Sequence, residues 1–157
     1  MFNKKNVCIL YGSQTGNAEA ISYEIQDLIE ESTSKKIPCY TLNDYIKDDN
    51  YIDSYDTLII LCSTTGNGDS PENASLFWRK IKNRQNSKKL FENISYFVIG
   101  LGDSNYNIFC HMGKQIDKRL FELGGKRIMD LTCIDEVDGL ENIVPDILDG
   151  IVTTYFI

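Results

Sequence analysis

Three short stretches hold the residue types that chemistry needs, and each lies directly behind an apolar run. Tyr11-Gly12-Ser13-Gln14-Thr15-Gly16-Asn17 follows Val7-Cys8-Ile9-Leu10 and opens into a helical pattern. Hydroxyl and glycine residues at a helix amino terminus offer an anion clustered N–H groups, side-chain donors and a favourable dipole. The stretch reads as a phosphate cradle. It lacks the Gly-Lys-Ser/Thr ending of an ATP-binding loop and the spaced glycines of a dinucleotide fingerprint. Taken alone, it also fits an ordinary strand-to-helix turn.

Ser63-Thr64-Thr65-Gly66-Asn67-Gly68-Asp69-Ser70-Pro71 follows the run Leu58–Cys62. Two glycines one residue apart permit positive φ and close approach of the backbone to a flat ligand. The third stretch, Gly100-Leu101-Gly102-Asp103-Ser104-Asn105-Tyr106-Asn107-Ile108-Phe109, follows Tyr96–Ile99. Its glycines clear space. Tyr106 is suited to stack on an aromatic ring, a contact worth about 0.5–1.5 kcal/mol beyond area burial, and Phe109 reads more simply as a hydrophobic plug. Brought together, the three loops make a site with one phosphate end and one aromatic end, which describes a mononucleotide with a large planar ring. Flavin mononucleotide (FMN) fits, and the loops hold no acid, base or metal set, so the chemistry belongs to the cofactor.

The elements around these loops are those that would bring them together. The three apolar runs match central parallel strands covered on both faces. Ile37–Leu42 and Arg127–Leu131 are more mixed and read as edge strands, the only place where Pro38 is tolerated. Helical stripes run through Ala18, Ile21, Ile25, Leu28 and Ile29, and through Ala74, Phe77, Trp78 and Ile81 behind a Ser70-Pro71 start. A third joins Met112, Ile116, Leu120 and Leu123, stopped by Gly124-Gly125. A fourth runs from Leu140 to Ile151, where Pro145 predicts a late start or a kink. The polar stretch Asn43–Tyr55 has room for one short helix. Alternating strands and helices predict a doubly wound α/β sheet whose ligand sits at the carboxyl ends of the strands.

A chain of 157 residues is one domain's worth. Its net charge of -7 disfavours nucleic acid, and no apolar run is long enough for a membrane span. The short polar Met1–Asn6 does not read as a leader. Five cysteines without a CxxC pair match neither a disulfide framework nor a zinc site and fit a reducing cytoplasm. His111 is the single histidine, which excludes a multi-histidine metal site.

Gly12-Ser13-Gln14-Thr15-Gly16, Thr65-Gly66-Asn67-Gly68-Asp69 and Gly100-Leu101-Gly102-Asp103-Ser104-Asn105-Tyr106, running on through Gly113 to Leu120, resemble the FMN-binding, flavodoxin-like domain of the diflavin reductases. The likeness spans essentially the whole chain. It implies a three-layer sandwich with a five-stranded parallel sheet in the order 2-1-3-4-5, forming one domain over residues 1–157. It also implies that Ser13, Gln14, Thr15, Gly16 and Asn17 bind the FMN phosphate. Ser63, Thr64, Thr65, Gly66, Asn67 and Gly68 would border the isoalloxazine. Tyr106 would stack on the ring, with Leu101, Gly102, Asp103 and Phe109 around it. A later acidic residue near the flavin corresponds to Asp135, at a spacing to Gly139 that departs from the family pattern. Nitric oxide synthases carry an aromatic residue where this chain has Thr65. The small residue is similar to the methionine synthase reductase branch, and secondarily to the diflavin reductase of iron-sulfur assembly.

The resemblance implies one-electron relay from an FAD/NADPH-binding module, in the same chain or another, to an acceptor protein. Acidic residues beside the crevice, Asp69 and Glu72 on one side and Asp135, Glu136, Asp138 and Glu141 on the other, suit a basic docking face on that acceptor. No motif for NADPH or FAD is present, so this chain is not expected to oxidise NADPH alone. A free-standing flavodoxin has the same loops, and an FMN-free interaction module is the non-catalytic alternative.

Overall fold

The computed structural model describes residues 6–65, 68–105, 108 and 110–156. In chain order the elements are β1 (Val7–Gly12), α1 (Asn17–Thr33), β2 (Cys39–Thr41), the single-turn helices α2 (Leu42–Tyr45) and α3 (Tyr51–Ser54), and β3 (Thr57–Ser63). They continue with α4 (Ser75–Ile81), β4 (Ser95–Gly102), α5 (His111–Glu122), β5 (Lys126–Arg127), β6 (Thr132–Asp135) and α6 (Leu140–Phe156). The strands pair in parallel in the order β2-β1-β3-β4-β5, and β6 also pairs with β4.

The continuous apolar runs lie at the centre of the sheet because both of its faces are covered. Every residue of β3 and β4 is buried. Alternation along each strand divides them between two cores. Cys8, Leu10, Leu58, Ile60, Tyr96 and Val98 join Phe77 of α4 and Ile116 of α5 on one face. Ile9, Ile59, Leu61, Phe97 and Ile99 join Ile25 of α1 and Leu148 of α6 on the other. Among the described residues, no helix is long and apolar enough to cross a membrane.

The edges depart from the sequence reading. The expected single strand Arg127–Leu131 is instead two pieces, β5 on Ser95–Tyr96 and β6 on Ile99–Gly102. Ile128 and Met129, adjacent in sequence, both pack on the α1/α6 core, while Leu131 packs on the other. A regular strand sends successive side chains to opposite faces, so the chain leaves the ladder between the two pieces. β2 pairs only over Cys39–Thr41, with Pro38 contributing its carbonyl to the Ile9 N–H at 2.9 Å. Leu42 begins α2, because Thr41 caps that helix by accepting from the Asp44 N–H at 3.0 Å. Residues 43–55 hold parts of two short helices rather than one. The expected Ser70-Pro71 start gives only a 3-10 turn, Glu72–Ala74, and α4 proper begins at Ser75. Its cap comes from another element: Asn43 Oδ1 accepts from the Leu76 and Phe77 N–H groups at 2.9 and 3.1 Å. Helix α6 runs from Leu140 straight through Pro145, so the late start is not observed.

The carboxyl ends of β1, β3 and β4 lie side by side, with Gly12 in register with Cys62 and Ser63 with Leu101. The three loops therefore leave the sheet at one edge.

Candidate functional site

Gln14 and Thr15 from the first loop, Ser63, Thr64 and Thr65 from the second, and Gly102 and Asp103 from the third line one cleft of about 400 Å³. Its size falls within the roughly 300–1,000 Å³ usual for small-molecule sites. Ile108 and Glu136 complete the lining.

The first loop is built around α1's amino end. Gly16 has a φ of 97°, a left-handed conformation that glycine adopts without steric cost. Its N–H donates to Ser13 Oγ at 3.0 Å, and the Ser13 N–H donates to Asn73 Oδ1 at 2.9 Å. Among the described residues no side chain caps α1, so the helix amino end keeps N–H groups for an external anion. Ser13 Oγ accepts one bond and retains its own proton to donate. Asn17 Nδ2 donates to Glu136 Oε1 at 3.2 Å, drawing the segment after β6 against this end of the cleft. Glu19, the acidic residue of α1's first turn, accepts from Tyr11 Oη at 3.0 Å. Burial, and then that bond, push the Tyr11 phenol up, so it remains a donor.

In the second loop the hydroxyls divide by role. Thr64 Oγ1 accepts from the Met112 N–H at 3.1 Å, tying the loop to α5. Thr65 Oγ1 donates to the Asp69 carbonyl, also at 3.1 Å. The Gly68 N–H closes the turn on the Thr65 carbonyl at 2.9 Å. Ser63 differs: it is only 5% exposed, and its hydroxyl has no hydrogen-bond partner among the described residues. A buried hydroxyl without a partner costs about 1–3 kcal/mol. Ser63 also lines the cleft.

In the third loop Gly102 makes room for the chain's return: a Cβ there would lie 2.7 Å from Cys110 N. Asp103 Oδ1 accepts from the Asn105 N–H at 2.8 Å. Asp135 does not line the cleft; its Oδ1 accepts from the Ser104 N–H at 3.2 Å and the Val137 N–H at 3.1 Å, clamping the loop to the end of β6. The Ser104 side chain first, and then the Val137 and Ser104 N–H groups, hold its carboxyl below the usual range. Leu101 lies in β4 with its side chain in the core. Its neighbours Gly100 and Gly102 face α5, so alternation turns Leu101 into the opposite core, where it is fully buried. Gly66, Asn67, Tyr106 and Phe109 lie outside the described residues.

Sequence reasoning missed three positions here. Asn73 holds the first loop from 60 residues away, and no local pattern announces such a contact. Ile108 lies in a stretch already singled out, yet its role as a partly exposed apolar wall beside Gly68 needed coordinates. Glu136 was read only as part of an acidic face.

The flavodoxin family model matches residues 9–146. The chain belongs to the flavodoxin family. The chain is 37% identical over 146 residues to methionine synthase reductase from Mus musculus, a match covering 91% of this chain and 20% of that protein. It is 39% identical over 124 residues to the NADPH sulfite reductase flavoprotein alpha-component from Bacillus subtilis, covering 79% of this chain and 20% of that protein. The chain thus spans about a fifth of the length of these two relatives. In structure it is similar to a cysteine-substituted flavodoxin from Pseudomonas aeruginosa, with a TM-score of 0.71, 24% identity and coverage of 92% of this chain and 97% of that one. The flavodoxin family binds FMN, and the residues present fit that group. The amino end of α1 suits the phosphate, and Ser63 holds a buried hydroxyl that has no partner among the described residues. The protein is a flavodoxin-type FMN electron-transfer domain related to the FMN domains of diflavin reductases.

Proposed function

We propose that this domain relays electrons from an FAD/NADPH-binding reductase module, in the same chain or another, to an acceptor protein, in the manner of methionine synthase reductase. Bound FMN supplies the redox chemistry, taking up electrons and releasing them one at a time. The protein's residues bind, orient and shield. Ser13, Gln14, Thr15, Gly16 and Asn17 hold the phosphate at the amino end of α1. Ser63 gives a polar ring or side-chain atom of the cofactor its hydrogen bond, while Thr64 and Thr65 fix the loop around it. Gly66, Asn67, Gly68, Gly102, Asp103, Tyr106 and Phe109 border the ring, and Asp135 acts through Ser104 to position the third loop. Small Thr65 leaves that side of the site without an aromatic cover, which supports the methionine synthase reductase reading.

The observation that carries the proposal is the convergence of three loops on one cleft lined by Ser63, whose buried hydroxyl has no partner among the described residues. Titration of the purified chain with FMN tests it. Saturable binding, seen as a shift of the flavin absorption bands, is expected; no binding would overturn it. Reduction of the loaded chain by NADPH only after an FAD-containing reductase is added is the second expected result. Reduction by NADPH alone would place the electron input within this chain.

A further inference from the structure

Cys110 and Cys133 are brought together by a gap in the sheet's side-chain layer. Cys110 precedes α5 with a φ of 53°, a conformation that non-glycine residues rarely adopt. Its sulfur lies 3.5 Å from the point a Cβ on Gly100 would occupy and 3.2 Å from that point on Gly102. Cys133 is the register partner of Gly100 on β6. In-register neighbours on parallel strands project to the same face, so Cys133 points to the face on which the Cys110 sulfur rests. Because positions 100 and 102 are glycines, β4 places no side chain between the two thiols, and they lie on the same face of the sheet as neighbours.

The two thiols are not equivalent. Cys110 is fully buried and Cys133 half-buried. The neighbouring Cys133, and then burial, push the Cys110 thiol up. The Cys110 thiol pulls Cys133 down; burial opposes this, Lys114 assists and Asp117 opposes. The other three cysteines all shift the other way: burial raises Cys8, Cys39 and Cys62. An accessible thiolate beside a second thiol is the arrangement of cysteines that form a sulfenic acid and then resolve it.

We propose that Cys110 and Cys133 form a peroxide-oxidised dithiol, with Cys133 as the attacking sulfur and Cys110 as the resolving one. In the first step the Cys133 thiolate attacks hydrogen peroxide; an S–O bond forms, the O–O bond breaks, and hydroxide leaves. In the second, the Cys110 sulfur displaces that oxygen from Cys133, forming the S–S bond as its own proton and the hydroxyl depart as water. Peroxide is the oxidant, reduced to water, and the two thiols lose one electron pair between them. The bond would join the start of α5 to β6, at the same end of β6 where Asp135 already holds Ser104. It requires no bound cofactor.

The test is peroxide treatment of the purified chain, without FMN, followed by non-reducing peptide mapping by mass spectrometry. The expected product is a single linkage between the Cys110 and Cys133 peptides, lighter by two hydrogen atoms and reversed by dithiothreitol. In Cys110→Ser the reaction should stop at a Cys133 sulfenic acid that dimedone traps, and in Cys133→Ser the Cys110 thiol should remain unoxidised. A wild-type product linked through any other pair would overturn the proposal. So would Cys133 oxidised with Cys110 left free, or no reaction at peroxide levels that oxidise free cysteine.

Discussion

At the scale of single residues, Ser63 gives the clearest separation between stability and binding. Its hydroxyl is buried without a partner among the described residues. Ser63→Ala should therefore leave the FMN-free protein as stable or raise its unfolding midpoint, since an unsatisfied buried group costs about 1–3 kcal/mol. The same change should weaken FMN binding roughly tenfold, the equivalent of about 1.4 kcal/mol. Paired urea denaturation and flavin titration read both signs; a loss of stability without a change in affinity would assign the hydroxyl a structural task. Asp135 carries a pH prediction. Its folded pKa is depressed by the Ser104 and Val137 bonds, so its contribution is present above the unfolded value of about 4 and is lost as pH falls through the lower folded value. Protection of the Ser104 amide, measured against its intrinsic exchange rate at each pH, should fall over that acid range in the wild type. In Asp135→Asn, which does not titrate there, that protection should stay flat. Most lining positions were legible because glycine and hydroxyl residues cluster behind apolar strands. Asn73 was not, because its partner is set by tertiary packing.

At the scale of elements, the central strands and long helices follow directly from their periodicity. The edges do not. The pair Ile128 and Met129 satisfies a local strand pattern, yet both side chains enter one core, and the ladder yields to packing. Likewise α4 starts where Asn43 can cap it rather than at the proline that marks a start in sequence. Pro145 gives the element-scale prediction. It lies five residues beyond the start of α6 and cannot donate to the carbonyl four residues back. Proline inside a helix costs about 3 kcal/mol relative to alanine, partly offset by its restriction of the unfolded chain, about 0.4–1 kcal/mol. Pro145→Ala should therefore stabilise the protein by about 2–2.6 kcal/mol in urea denaturation. A fall in stability would mean that α6 packs on α1 only in the shape that the proline imposes.

At the scale of the whole molecule, the charge of -7 first served to argue against nucleic acid. For a domain that hands electrons to a partner it becomes a matter of encounter rate. Oppositely charged partners are steered together, and salt screens that attraction over about 10 Å at 0.1 M ionic strength. The second-order rate of electron delivery to a basic acceptor should fall as salt rises, and stopped-flow measurement across an ionic-strength series checks it. A flat or rising dependence would assign docking to apolar contacts such as those Ile108 and Val137 could offer, both of which are exposed. The stitches that hold the cleft span long stretches of chain: Ser13 to Asn73, Thr64 to Met112, Ser104 to Asp135 and Asn17 to Glu136. During synthesis the phosphate loop emerges early, long before the residues that hold it in place. FMN should therefore load only after the segment through Glu136 has left the ribosome. A nascent chain stalled before that point should remain cofactor-free however much FMN the cell contains.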